Sequence, residues 1–131
     1  MDYKQSARER FKKDLYATET TGIEIEDAHP GYAKCSLKIE GRHLNMEGFV
    51  MGGAIFTLAD FAFAVAANCG GELTVTLTSQ INYISASKGP VLFGEAKLIK
   101  SSKKICFYEI EVSDDSGNLV AKVSTTGYIK E

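Results

Sequence analysis

A single carboxylate, Asp60, interrupts an almost entirely small and apolar stretch that runs from Met51 to Ala67. An ionised carboxylate among apolar atoms costs on the order of several kcal/mol unless it is paired or hydrogen-bonded. A structural explanation is that Asp60 caps a backbone group or meets a lysine at the edge of a subunit. A functional explanation is that it borders a pocket, where desolvation raises its pKa and it acts as a base or a nucleophile.

The residues in front of Asp60 indicate a site for a polarised carbonyl group. Asn45, Gly48, Gly52 and Gly53 precede the apolar stretch, and the last two lie where a helix should begin. Glycines let a ligand approach the backbone closely, and the first N–H groups of a helix have no partner within it. A carbonyl oxygen there would be stabilised by the Gly52 N–H and the helix dipole, by roughly 3 kcal/mol per donor.

The separation of Asp60 from the Gly52 N–H predicts an assembly of two chains. Asp60 follows Gly52 by eight residues, which is about 12 Å along a helix that rises 1.5 Å per residue. One chain therefore cannot bring both groups to the same carbonyl. A twofold dimer with antiparallel neighbouring helices would place Gly52 of one subunit opposite Asp60 of the other and create two equivalent sites.

The apolar stretch predicts one long central helix. Between the glycine pairs Gly52–Gly53 and Gly70–Gly71, apolar side chains point in every direction around the helix axis. A helix that is apolar all round is expected to be buried all round, and the second glycine pair fits a left-handed cap at its end. Something must therefore wrap this helix.

The rest of the chain predicts the strands that do so. Segments with alternating polarity or many β-branched residues occur at 22–27, 32–40, 72–84, 91–100, 105–113 and 119–129. A surface helix with Ala7, Phe11 and Leu15 on its buried stripe is predicted from Ser6 to about Ala17. The expected fold class is α+β, with a curved antiparallel sheet of about six strands around the central helix, in a single domain of residues 1–131.

Composition excludes several kinds of partner. A net charge of −2 gives no reason to expect a nucleic acid or an anionic membrane surface. The N-terminal residues are charged, and no apolar run reaches the roughly 18 residues that a membrane span needs, so a cytoplasmic protein is expected. Cys35, Cys69 and Cys106 are odd in number and far apart. That spacing argues against a disulfide framework or a zinc site and favours small buried hydrophobes.

At these residues the chain resembles the hotdog-fold thioesterases of the phenylacetic-acid-degradation type, within the 4-hydroxybenzoyl-CoA thioesterase superfamily. That family has the pattern H-x-N-x-x-G-x-x-H-G-G-x-x-x-x-L-x-D. The residues that match it, at the same spacings, are His43, Asn45, Gly48, Gly52, Gly53, Leu58 and Asp60. The pattern departs at Met51, where the family often has a histidine and where this side chain cannot donate a strong hydrogen bond.

The resemblance implies catalytic roles for three of these residues. Asp60, from the opposite subunit, would be the general base or nucleophile, the Gly52 N–H the oxyanion donor, and Asn45 the group that orients the water or the thioester. In the strand that follows, Thr76 is the candidate for holding the attacking water, with Thr78 one period later on the same face. The alternative for both threonines is the ordinary preference of threonine for strands.

The resemblance also implies a substrate-binding set around the glycines. His43, Met51 and Gly53 belong to it, with His43 holding the loop in shape. Coenzyme A has a negatively charged nucleotide end, which Lys88, Lys103 or Lys104 could meet unless these turn lysines are simply solvated. The candidates for the acyl pocket, against the alternative of plain core packing, are Phe49, Phe56, Phe63 and Tyr83.

The function implied is hydrolysis of an aryl- or medium-chain acyl-CoA to free acid and CoA, without a metal or redox cofactor, by a homodimer that pairs into a dimer of dimers. A hydratase or dehydratase acting on acyl thioesters is a second reading, which Met51 disfavours because those enzymes pair a loop histidine with a helix acid. A third reading is a hotdog dimer that binds acyl-CoA, or serves as a scaffold, without catalysis.

Overall fold

All six predicted strands form, and they assemble into one antiparallel sheet in the computed structural model, which describes residues 1–71 and 73–130. The order across the sheet is β1-β2-β4-β5-β6-β3. The strands are β1 (Ile23–His29), β2 (Tyr32–Lys38), β3 (Thr74–Tyr83), β4 (Val91–Ser101), β5 (Ile105–Asp114) and β6 (Leu119–Ile129). The helices are α1 (Tyr3–Phe11) and α2 (Gly52–Ala67), with a π-helical turn at Tyr16–Thr21 and a 3-10 turn at Gly41–His43.

The core lies between α2 and the concave face of the sheet. The apolar face predicted for β2 is confirmed, because Ala33, Cys35 and Leu37 are fully buried. On the opposite face Lys38 is exposed, but Ser36 is buried, and its hydroxyl donates to the Glu26 carboxylate. All three cysteines of the chain are buried free thiols, as predicted. On the other side of the core, the Phe63 ring of α2 meets the ring of Tyr108 edge-on, with centroids 5.2 Å apart. The sheet therefore covers one side of α2 with tightly packed side chains.

The opposite side of α2 is not covered, so the prediction that the helix is buried all round is wrong for the protomer. Gly53 and Asp60 are exposed, and Thr57, Ala64 and Ala67 are only half-buried. These five residues recur at helical spacing along one side, which we call the open face of α2. Its alanines are compatible with burial but do not require it, and the curved sheet reaches around only part of the helix.

The N-terminal helix is shorter than predicted. Asp2 caps α1, its carboxylate accepting a hydrogen bond from the Gln5 N–H at 3.0 Å. Ala7 is buried as expected, and Phe11 packs edge-on against Phe61 of α2 with centroids 5.6 Å apart. Leu15 lies beyond α1 and is 54% exposed, so its predicted place on the buried stripe is wrong. The chain leaves the straight helix before reaching it and enters the π-helical turn.

The end of α2 is determined by an asparagine. Asn68 Nδ2 donates to the carbonyl oxygens of Ala64 at 2.9 Å and Thr74 at 3.2 Å, and its Oδ1 accepts from the Thr74 N–H at 2.7 Å. Gly70 adopts the predicted left-handed conformation, with φ of +71°, but lies after the helix has ended. Asn68 therefore links the end of α2 directly to the start of β3. Within residues 1–71 and 73–130, no helix is both long and apolar enough to cross a bilayer.

Candidate active site

The site is built around the first residues of α2, which begins at Gly52 as predicted. The N–H groups of Ala54 and Ile55 donate to the Met51 carbonyl oxygen at 3.0 and 3.2 Å. In the described part of the chain, the preceding N–H groups of Gly52 and Gly53 donate to no protein acceptor, and no side chain caps the helix. Two donors at the positive end of a helix are thus available to a ligand.

Asn45 shapes the loop that leads into α2. Its Oδ1 accepts hydrogen bonds from the N–H groups of Glu47 at 3.0 Å and Phe49 at 3.1 Å, while its own N–H donates to the Phe49 carbonyl oxygen at 2.7 Å. Gly48 completes this tight turn with φ of +83°. Among the described residues, the Asn45 Nδ2 donates to no acceptor. One end of the side chain therefore fixes the loop, and the other is available to a ligand.

His43 supports the same loop from inside. The ring is buried, its Nδ1 accepts from the Glu40 N–H at 2.9 Å, and its Nε2 lies 2.7 Å from the Thr21 carbonyl oxygen. These partners require the neutral tautomer that carries its proton on Nε2. The His43 carbonyl oxygen accepts from the Met51 N–H at 2.8 Å. Both ring nitrogens are thus engaged within the protein, so His43 positions the loop.

A cavity of about 600 Å³ lies on one side of the start of α2. Gly52 borders it, together with the predicted pocket residues Phe49 and Tyr83, which are 59% and 54% exposed. Lys88 also lines this first cavity. The remaining lining is mainly apolar and includes Ile39, Leu44, Val50, Ile55 and Ile84. The other candidates lie elsewhere: Phe63 is buried in the core and Phe56 packs against it, while Lys103 and Lys104 lie between β4 and β5.

A second cavity, of about 560 Å³, lies on the other side of the helix start. Met51 and Gly53 border it, and Met51 is 56% exposed. Its other lining residues carry mostly polar groups and include Tyr16, Thr20, Thr21, Arg42, His43 and Thr57. The two adjacent glycines therefore border different cavities.

Asp60 lies on the open face of α2, and its side chain reaches the surface of the protomer. Within residues 1–71 and 73–130, its carboxylate accepts no hydrogen bond and pairs with no cation, so it neither caps a backbone group nor meets a lysine in the protomer. Desolvation by the atoms around the carboxyl raises the pKa of Asp60, and the negative charge of Asp14 raises it further. An unpaired carboxylate with a raised pKa is suited to accept a proton.

Thr76 and Thr78 do not share a face of β3, so that prediction is wrong. Thr76 lies opposite Gly127 in β6 and Thr78 lies opposite Thr126, which leaves Leu77 as an extra residue in a β-bulge. A Cβ built on Gly127 would lie 3.0 Å from the Phe63 ring of α2, which identifies the helix side of the sheet. Thr76 therefore faces the helix side and Thr78 the outer side, because a bulge shifts the alternation by one residue.

Two residues of this region carry roles that the sequence did not indicate. Tyr83 was predicted only as a pocket residue, yet its hydroxyl donates to the Gly52 carbonyl oxygen at 3.1 Å. Asp14, which influences Asp60, lies in the segment between α1 and the π-helical turn. Neither interaction has a signature in the sequence, because each joins residues far apart in the chain through the arrangement of different elements.

Residues 47–121 match the thioesterase superfamily. A protein from Archaeoglobus fulgidus is 34% identical over 92% of this chain and 81% of its own length. The acyl-coenzyme A thioesterase PaaI of Escherichia coli is 29% identical over 89% of this chain and 84% of that protein.

Solved structures share the fold. The PaaI protein from the phenylacetic acid degradation operon of E. coli superposes with a TM-score of 0.90 at 22% identity, covering 98% of this chain and 94% of that one. A hypothetical thioesterase from Streptococcus pneumoniae, solved with coenzyme A, has a TM-score of 0.84 at 26% identity and covers 92% and 96% of the two chains. Two further structures of a hypothetical thioesterase from S. pneumoniae, each 28% identical with a TM-score of 0.78, carry alanine at an aspartate and at a threonine sixteen positions later.

Proposed function

This chain belongs to the thioesterase superfamily and is a thioesterase with a hotdog fold, and we propose that its substrate is the coenzyme A ester of an aryl or medium-chain acid. The similarity to an acyl-CoA thioesterase of E. coli supports this substrate class, as does the S. pneumoniae structure with coenzyme A. A cavity of about 600 Å³ is within the usual range for small-molecule sites and large enough for such an acyl group.

The observation that carries the proposal is the pair of N–H groups at the start of α2 that donate to no acceptor among residues 1–71 and 73–130. In thioester hydrolysis, negative charge develops on the carbonyl oxygen as the nucleophile adds. The Gly52 N–H, beside the first cavity, is the proposed donor to this oxygen, and the helix dipole adds to its effect. Asn45 is proposed to orient the water or the thioester through its Nδ2, since its Oδ1 is already bonded to the loop.

We propose that Asp60 completes this site from a second subunit. Asp60 and Gly52 of one helix are separated by about 12 Å along the axis, which is too far for both to act on one carbonyl. β3 is an edge strand of ten residues, hydrogen-bonded on one side to β6. It carries exposed apolar residues, among them Leu77 and Tyr83. Long apolar edges are normally covered, and a twofold pairing there would bring the two α2 helices together as antiparallel neighbours.

Asp60 can act by two routes. As a general base, its carboxylate takes a proton from water while the resulting hydroxide adds to the thioester carbonyl. The tetrahedral intermediate then collapses, the C–S bond breaks, and the CoA thiolate leaves and is protonated. As a nucleophile, the carboxylate itself displaces the CoA thiolate, and water then hydrolyses the acyl anhydride. A single turnover in heavy-oxygen water tests the nucleophile route, because hydrolysis of the anhydride at its aspartyl carbonyl would leave the label in Asp60, which the general-base route never does.

Thr76 is the strand residue that we propose to assist the attacking water. It faces the helix side of the sheet, whereas Thr78 faces outward and we leave it out of the site. The sixteen residues between Asp60 and Thr76 equal the separation of the two positions changed in the S. pneumoniae structures. Met51 and Gly53 border the second cavity, where we propose that they contact the substrate, and His43 holds the loop that carries them.

The test is thiol release from a panel of aryl- and fatty acyl-CoA esters by the native protein and by Asp60→Asn. We expect release by the native protein, and a loss of about a hundredfold or more in kcat for the folded variant. Asp27→Asn, an exposed carboxylate on β1, is the matched control and should keep full activity. Equal activity of native protein and Asp60→Asn would rule out Asp60 as the catalytic group, and tight acyl-CoA binding without thiol release would select the non-catalytic reading.

The shared site also predicts the assembly. Sedimentation should show a dimer or a dimer of dimers, and a protein that stays monomeric while active would contradict the shared site. Mixing two inactive variants, Asp60→Asn and a Gly52 variant, gives a sharper test. Exchange of subunits would restore one intact site in each mixed dimer, so activity should return on mixing.

A further inference from the structure

Tyr83 of the edge strand contacts the start of α2 through both its ring and its hydroxyl group. It is the last residue of β3 and pairs with Ala121 of β6. Ser79 of the same strand shares a hydroxyl contact of 2.8 Å with the buried Thr125, so alternate residues from Ser79 onward face the helix. Tyr83 is on this side, and its hydroxyl donates to the Gly52 carbonyl oxygen at 3.1 Å.

The same contact leaves little room for a side chain at residue 52. Gly52 does not have a positive φ, so its backbone conformation does not require glycine. A Cβ built on Gly52, however, would lie 3.2 Å from the Cζ and Oη atoms of Tyr83, and the ring would have to move by a few tenths of an ångström. At Gly53 the nearest atom would be the terminal carbon of Met51, at an ordinary 3.7 Å. The two glycines therefore differ: only Gly52 is packed against a ring.

From these contacts we infer that Tyr83 is a positioning residue that holds the N–H donors of α2 in place. The inference rests on the proposed role of the Gly52 N–H. The ring blocks movement of Gly52 toward β3, and the hydroxyl bond orients the Gly52 carbonyl. That carbonyl belongs to the same planar peptide unit as the Gly53 N–H, so the hydroxyl bond orients the Gly53 N–H. The Gly52 N–H belongs to the preceding peptide unit and is restrained by the ring packed against Gly52. The edge strand thus determines where the oxyanion donors point.

The first test removes only the hydroxyl group. Tyr83→Phe keeps the ring but loses one hydrogen bond, so kcat should fall by about five- to tenfold while KM changes by less than about twofold. Tyr128→Phe on β6 is the matched control, since the Tyr128 hydroxyl has no hydrogen-bond partner among residues 1–71 and 73–130, and it should leave kcat and KM unchanged. An unchanged kcat for Tyr83→Phe would overturn the inference. So would a raised KM with native kcat, which would make Tyr83 only a wall of the cavity.

A second test measures the coupling of Tyr83 to Gly52. Gly52→Ala should lower kcat because its methyl group presses on the ring, and adding Tyr83→Ala should recover part of that loss by removing the ring. Losses that simply add would contradict a role exerted through this contact. Circular dichroism and sedimentation of each variant check folding and assembly.

The outcomes also separate this inference from the proposed function. If native protein releases thiol, Asp60→Asn does not, and Tyr83→Phe equals native protein, only the role of Tyr83 fails. If native protein releases no thiol from any ester, the proposed function fails and the role of Tyr83 fails with it.

Discussion

The two sides of α2 have opposite properties although the same sixteen residues form them. On the sheet side, Leu58, Ala59, Ala62 and Val65 have no exposed surface, and close packing holds the helix in place. On the open face, Asp60 has no hydrogen-bond or ion-pair partner among the described residues, and its ionised form is disfavoured by desolvation. One side of the helix therefore stabilises the fold, while the other retains a carboxylate that stability alone would not favour.

The largest effect, a loss in the free energy of unfolding, is expected from a substitution on the sheet side of α2. Leu58→Ala removes a fully buried side chain that packs against Gly94 of β4, where an added Cβ would lie 3.1 Å from the Leu58 Cγ. The cavity left behind should lower the free energy of unfolding by about 3 kcal/mol, as measured by urea denaturation. Ala64→Gly on the open face is the comparison variant and should cost only about 1 kcal/mol, the loss of helix propensity. Equal losses at both positions would mean that the two sides do not differ as described.

An intermediate effect, on the pH dependence of kcat, is expected when Asp14, the carboxylate near Asp60, is replaced. Asp14→Asn removes the negative charge that helps to raise the pKa of Asp60. Because a base must be ionised to act, the acid limb of the kcat profile should move to lower pH, by less than about one unit since desolvation remains the main cause. The measurement is kcat against pH for native protein and variant, with Asp27→Asn as control. A limb that stays in place would exclude Asp14 as an influence on Asp60.

The smallest effect is expected on the thermal stability of the protein when Asp60 itself is replaced. The pKa of Asp60 in the native state lies above the ordinary value of 3.8. The native state therefore holds the Asp60 proton more strongly than the unfolded state does. The free energy of unfolding consequently falls as pH rises from 3.8 through the raised pKa. Asp60→Asn should therefore raise the midpoint of thermal unfolding at pH 7 by about 1–3 °C, a small gain because the side chain reaches the surface of the protomer and is partly solvated. The gain should vanish at pH 3, where Asp60 is protonated in both states.

If Asp60→Asn instead lowered the midpoint of thermal unfolding at pH 7, the result would contradict a raised pKa of Asp60. It would mean that the ionised carboxylate is stabilised by a partner, which a second subunit could supply.

Much of the fold was predictable because its signals are local. Alternating polarity and runs of β-branched residues located all six strands, and the glycine pair located the start of α2. The open face was not predictable, since alanine fits both a packed and an open position and the extent of sheet curvature is a property of the whole sheet. The bulge at Leu77 was missed for a similar reason: the threonines around it have the same strand preference on either face, so nothing in the segment marks a break in the alternation.

Within the site, the sequence located the catalytic candidates but not their supports. The order of Asn45, Gly52 and Asp60 along the chain was informative because helix geometry converts spacing into distance. The contact between Tyr83 and Gly52 joins β3 to α2 and depends on how the strand crosses the helix start. No pattern within either segment contains that information.

The bulge in β3 also bears on how the length of this strand can change during evolution. Thr76 and Thr78 pair with the adjacent residues Gly127 and Thr126, so Leu77 is extra to the pairing. Deleting Leu77 would leave every other side chain of the strand on its present face. Loss of this one residue should therefore leave the pairing of β3 with β6 intact. Equivalent residues beyond the bulge are thus identified by their partners in β6 and not by counting along the chain.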